Sequence, residues 1–153
     1  VLTLTTLGTP HRGTSFADWG VHRFERIVKP LLDTIGMPYQ AFYDLRRTNC
    51  QAFNAKVLDV PGVRYFSVAG KHDGHLYHPE WLLPFGVVAR LEGDNDGIVS
   101  VQSATYGEAC DIWDGDHMVL VNWFNPLHRL RGFWHDPAVR YGAILRRLAD
   151  LGY

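Results

Sequence analysis

Several things are scarce in this 153-residue chain, and each scarcity excludes something. There is no basic excess: 15 Lys and Arg face 16 Asp and Glu, for a net charge of −1 with the 8 His neutral. Nothing is left over to neutralise a phosphate backbone, so no broad nucleic-acid surface is expected. There is no long apolar run. Trp81 to Ala89 is broken by Pro84 and Gly86, and a bilayer-spanning helix needs ~18–20 apolar residues, so no transmembrane segment is expected. There are 2 cysteines, Cys50 and Cys110, too few for a disulfide framework. One bridge or two buried thiols both fit, and the compartment cannot be read from them. No signal peptide is visible. The first residue is Val1 rather than Met and opens directly into a strand-like run. The expectation is a segment cut from something longer. At 46% hydrophobic with near-zero net charge, the chain is not of the disordered class. Its length suits one domain, without internal repeat or linker.

Val1 to Leu7 is rich in β-branched residues and stops at Gly8-Thr9-Pro10, which predicts a strand and a loop. Val63 to Ala69, between Pro61-Gly62 and Gly70, predicts a second strand. Between them, Ala41, Phe42, Leu45, Phe53 and Val57 recur near helical spacing, predicting a helix over Tyr39 to Val57. Strand, helix, strand makes a βαβ unit and a parallel sheet. Two long excursions, 14–38 and 71–92, read as lid-like insertions. Pro137 to Leu151 predicts a C-terminal helix with Val139, Ala143, Ile144, Leu148 and Leu151 on one face. Arg146 and Arg147 near its end suit the helix dipole.

Two turns carry candidate chemistry. Gly93-Asp94-Asn95-Asp96-Gly97 is good tight-turn composition, and equally suits a carboxylate held at the carboxyl edge of a sheet. Trp113-Asp114-Gly115-Asp116-His117 places a histidine after acidic turn residues, as a surface histidine or a general base on a loop. Taken together they are more informative. An acid followed by a histidine is the chain order of the last two members of an α/β-hydrolase triad. The acid orients the imidazole, and the imidazole takes the nucleophile's proton. The nucleophile should then precede them in a G-x-S-x-G elbow. Ser67, Ser100 and Ser103 lack flanking glycines. Ser15, in Gly13-Thr14-Ser15-Phe16-Ala17, comes nearest, but lies too far beyond Leu7 for an elbow that follows its strand at once.

Thr6-Leu7-Gly8-Thr9-Pro10-His11-Arg12-Gly13-Thr14, then Asn95-Asp96-Gly97-Ile98-Val99-Ser100, then His117 ahead of Val121-Asn122-Trp123, together resemble the triacylglycerol lipase and esterase group of the α/β-hydrolase superfamily. The resemblance implies the C-terminal portion of an α/β-hydrolase fold, a mostly parallel sheet with flanking helices. It implies Asp96 as triad acid and His117 as base, with the serine, oxyanion hole and first strands before Val1. His11 and Arg12 would support the active-site loop. Phe16, Trp19, Trp81 and Leu82 are candidates for a substrate groove or lid, or for ordinary core.

The implied substrate is an acylglycerol or other acyl ester met at a lipid–water interface, and no cofactor is needed. Calcium-binding bacterial members carry an aspartate two residues after the catalytic histidine. Here that residue is Val119, so that site is expected to be absent and the fungal-like branch fits better. His72, Asp73, His75 and His78 have residue types that suit zinc. Gly74 and Pro79 make this a loop with no cysteine near and no fourth fixed ligand, so a solvated polar loop is expected and no metal. A noncatalytic lipid-binding remnant, or another serine hydrolase or acyltransferase of the same fold, stays open as the alternative.

Overall fold

The computed structural model describes residues 1–21, 23, 29–30, 33, 39–72, 81–122 and 137–153. Its frame is a parallel sheet in the order β1-β2-β3, with β1 at Thr3–Leu7, β2 at Arg64–Lys71 and β3 at Ala109–Asp114. Thr3 pairs with Arg64 and Leu7 with Val68; Phe66 pairs with Ala109 and Lys71 with Asp114. Both expected strands are present. β2 is the central strand, and Phe66 to Gly70 are buried without a break, as expected where both faces of a parallel sheet are covered.

Neighbouring residues of β2 serve opposite faces, because side chains alternate along a strand. Ala69 joins a core with Phe16, Phe42, Trp81, Val88 and Ile98. Val68 joins the other, with Leu120 and Ile144. The first core is covered by α1 (Ser15–Val21), α2 (Tyr39–Asp44) and α4 (Leu82–Glu92). The second is covered by α6 (His117–Leu120) and α7 (Pro137–Asp150), through Tyr141, Ile144 and Leu148. The result is a three-layer α/β/α arrangement. α7 matches the predicted C-terminal helix, although Val139, Ala143 and Leu151 are exposed rather than core-facing.

The single helix expected over Tyr39 to Val57 is two: α2 ends at Asp44, and α3 runs Arg47–Lys56. Arg46 takes an extended conformation between them. The cause is tertiary. The Leu45 carbonyl accepts the Thr14 N–H at 2.9 Å, and Asp18 of α1 pairs with both Arg46 and Arg47. The excursion at 71–92 is in part the helix α4, and a one-turn helix, α5 (Val101–Ala104), precedes β3. Much of the excursion at 14–38 lies outside the described residues. Cys50 and Cys110 are free thiols, so the bridge alternative falls.

Candidate active site

Asp96 sits on the loop between α4 and α5, at the carboxyl ends of the strands. Asn95 and Ser100 pair across the loop, and the Asp96 N–H donates to the Val99 carbonyl at 3.1 Å. Its side chain folds back on its own loop. Oδ1 accepts the backbone N–H groups of Ile98 at 3.1 Å and Val99 at 2.8 Å. That leaves Oδ2 aimed elsewhere, and the residue is completely buried.

His117 opens α6, just past the end of β3. Asp116 caps that helix, Oδ1 accepting the N–H groups of Met118 and Val119 at 3.0 Å each. The His117 N–H donates to the Asp96 carbonyl at 2.7 Å, and its Nδ1 lies 2.7 Å from Asp96 Oδ2. Backbone and side chain therefore lock the same two residues together. A carboxylate only accepts, so the proton of a neutral His117 belongs on Nδ1 and Nε2 keeps its lone pair. Among the described residues nothing hydrogen-bonds to Nε2, and the His117 side chain is 27% exposed. The arrangement can take a proton at Nε2 from a group presented to it.

Burial by itself would lower the His117 pKa. The hydrogen bond and charge of Asp96, with the charge of Asp116, outweigh it and hold the imidazole above its ordinary value of 6.5. The floor beneath the pair is glycine. Gly8 ends β1 with φ +57, and a methyl there would come 3.1 Å from both Asp96 Oδ2 and His117 Nδ1. The Trp81 ring stands edge-on to His117 at 6.3 Å between centroids.

The two motifs that flag the site are stitched to each other. The Thr14 hydroxyl donates to the Ile98 carbonyl at 2.6 Å. The Arg12 N–H donates to Ser103 Oγ at 3.1 Å, and its guanidinium to the Gln102 carbonyl at 2.5 Å. His11 lies further back, on Thr6 Oγ1 at 2.9 Å and stacked on Tyr106. Burial and the Arg12 charge lower its pKa, against the pull of Asp59. Arg12 thus grips the segment following the Asp96 loop, while His11 braces the Thr9–Thr14 turn.

The other candidates separate. Phe16 and Trp81 are core residues, which leaves Phe16 out of any open groove. Trp19 packs against the same core, and Leu82 is 40% exposed. The Ser15 hydroxyl is buried at the start of α1 with no hydrogen-bond partner, so it does not engage His117. Asp73, His75 and His78 lie outside the described residues. Among the described residues no three His, Cys, Asp or Glu side chains gather as a metal site. An open cavity of about 590 Å³ lies against the ends of β2 and β3, between Lys71, His72, Phe85, Asp94 and Trp113. Sequence reasoning missed Gly8 and Gly70 beneath the pair, and the cap at Asp116. An Asp directly ahead of His117 and the apolar Met118–Leu120 run was a signal for the cap; the glycines gave none beyond ending their strands.

A parallel sheet covered on both faces, with an acid and a histidine meeting at its carboxyl edge, defines an α/β-hydrolase fold. No protein-family model matches the chain. It is 34% identical over 134 residues to triacylglycerol lipase 2 of Saccharomyces cerevisiae, covering 83% of this chain and 39% of that protein. It superposes on the mature lipase of Bacillus licheniformis with a TM-score of 0.65 and 27% identity, over 80% of this chain and 50% of that one. A metagenomic carboxyl esterase matches in fold, with a TM-score of 0.62 and 19% identity over 77% of this chain and 37% of that one. The chain has the α/β-hydrolase fold and is similar to lipases and esterases of that superfamily. It spans half or less of the length of these relatives.

Proposed function

We propose that the protein carrying this chain is a carboxylic ester hydrolase of triacylglycerol lipase or esterase type, with Asp96 and His117 as acid and base of a serine triad. One observation carries the reading: Asp96 Oδ2 and His117 Nδ1 meet at 2.7 Å, with Nε2 left available. The names of the relatives, a triacylglycerol lipase and a lipase, support the substrate class. None of the four serines here bonds to His117, so the nucleophile is assigned to chain outside these residues.

In that scheme His117 Nε2 takes the serine proton as Oγ attacks the ester carbonyl. The same proton then passes to the departing alkoxide, leaving an acyl-enzyme. Water attacks the acyl group, giving its proton to Nε2, and that proton passes to the departing serine Oγ as the carboxylic acid is released. Asp96 stays ionised throughout, holding the ring in orientation and stabilising the imidazolium. The substrate is an acylglycerol or another acyl ester. No helix among the described residues is long and apolar enough to cross a membrane.

The test is hydrolysis of a p-nitrophenyl ester and of an emulsified triacylglycerol by the protein that carries this chain. His117→Ala and Asp96→Ala should each lower turnover by about 10³-fold or more while the protein stays folded. Folded variants with near wild-type turnover would overturn the assignment.

A further inference from the structure

We propose that Glu92 is a positioning residue for the catalytic pair, holding the Asp96 loop in register against α1. The inference rests on the reading of Asp96 and His117 given above.

Glu92 is the last residue of α4 and is only partly buried. Both of its carboxylate oxygens are engaged. Oε1 accepts the backbone N–H of Ser15 at 2.7 Å, and Oε2 accepts the Ser100 hydroxyl at 2.5 Å. Ser15 and Ser100 are themselves completely buried.

Ser100 is where the Asp96 loop closes. It pairs with Asn95, the residue just before Asp96. Its hydroxyl oxygen also accepts the Ser103 N–H at 3.1 Å, capping α5. Val101 N–H, one residue further on, returns to the Asp94 carbonyl at 2.9 Å. The loop is thus a closed ring of backbone, and Glu92 fastens its Ser100 end to α1, beside the Thr14 hydroxyl on the Ile98 carbonyl and the Lys71–Asp94 ion pair. The ring contains the Ile98 and Val99 amides that hold Asp96 Oδ1.

A charged acceptor makes a stronger bond than a neutral one, roughly twofold by typical comparison. Without it, the Ser100 hydroxyl and the Ser15 amide are buried donors with no acceptor. The loop would then relax relative to α1, and the Asp96–His117 geometry would loosen with it. Among the described residues, the charged groups facing His117 are Asp96 and Asp116. Weakening the first lets the imidazole lose its proton more easily.

The experiment uses the full protein, with kcat, KM and the pH dependence of kcat/KM measured alongside thermal unfolding. Glu92→Ala should lower kcat about tenfold with KM little changed, the loss typical of a slightly misplaced catalytic group. The acid limb of its pH profile should move to lower pH. Ser100→Ala, a smaller change on the same bond, should do the same. The double variant should be no worse than the more damaged single one. Glu92→Gln should recover most of the rate, its carbonyl accepting from Ser15 and its amide donating to Ser100 Oγ.

A lowered unfolding temperature with unmoved kcat and acid limb in both single variants would overturn the proposal, leaving Glu92 a structural link alone. If Glu92→Ala does not fold, Ser100→Ala decides by the same readouts. His117→Ala and Asp96→Ala are run in parallel. Activity retained there means the site assignment has failed and this inference with it. Activity lost there, with the acid limb unmoved in the Ser100 and Glu92 variants, means the positioning has failed while the site stands.

Discussion

Asp96 rests directly on Gly70: a methyl group built on Gly70 would stand 2.7 Å from Asp96 Cβ. Real side-chain carbons do not approach that closely, so Asp96 occupies its position only because the end of β2 has no side chain. Gly8, just past β1, leaves room for His117: a methyl there would stand a tight 3.1 Å from its Nδ1.

Gly70→Ala is expected to push Asp96 off its loop position. Overpacking of this kind costs about 1–3 kcal/mol. Differential scanning calorimetry should show the loss of stability, and ester hydrolysis should fall by more than the folded fraction does. Gly8→Ala adds the cost of φ +57 for an L side chain to its close contacts and should be the worse of the two.

The two sequence blocks are joined by Thr14. Its hydroxyl is buried and donates to the Ile98 carbonyl at 2.6 Å. Thr14→Val keeps the shape and strips the donor, leaving a buried carbonyl short of a partner. The expected cost is about 1–3 kcal/mol in urea unfolding. Arg12→Ala, whose side chain is exposed, should change stability less.

The pH dependence follows from the sign of the His117 shift. Its pKa in the folded protein lies above the ordinary 6.5. The protonated form is thus the one favoured by folding. That contribution to stability is fully present below 6.5 and disappears as pH rises through the folded value. Comparing urea unfolding of wild type and His117→Gln across this range should show the difference shrinking with rising pH. Catalysis runs the other way. The base must be neutral, so kcat/KM should fall on the acid side with a midpoint above 6.5. Asp96→Asn should lower that midpoint as well as the rate.

The 153-residue chain by itself is expected to be inactive on p-nitrophenyl esters and to self-associate. Val1 and Leu2 are 98% and 64% exposed, and Leu4 beside them on β1 is also exposed. β1 has a strand on one side only among the described residues. Open apolar edges pair with other chains. Size-exclusion chromatography with a hydrolysis assay checks both parts. A monodisperse monomer would remove the argument from exposed surface. Activity abolished by Ser15→Ala would assign the nucleophile to Ser15.

What the sequence determined by itself is local. The β-branched run at Val1 to Leu7 and the run at Val63 to Ala69 made strands, because their backbone preferences and turn boundaries agree. The Asn95-Asp96-Gly97 turn and the Asp116-His117 cap follow from side chains that bond to backbone within three residues. The order of acid and histidine was legible for the same reason, as each sits in a self-contained turn. β3 was not legible. Its Asp111 and Asp114 break the apolar pattern, and an edge strand with half-exposed positions gives little periodicity. The break between α2 and α3 was hidden, since it depends on Thr14 taking the Leu45 carbonyl from 31 residues away. Only the tertiary structure decided that Gly8, Gly70 and Glu92 matter. Their roles consist of distances to groups remote in the chain, and no local propensity encodes a distance that chain folding alone creates.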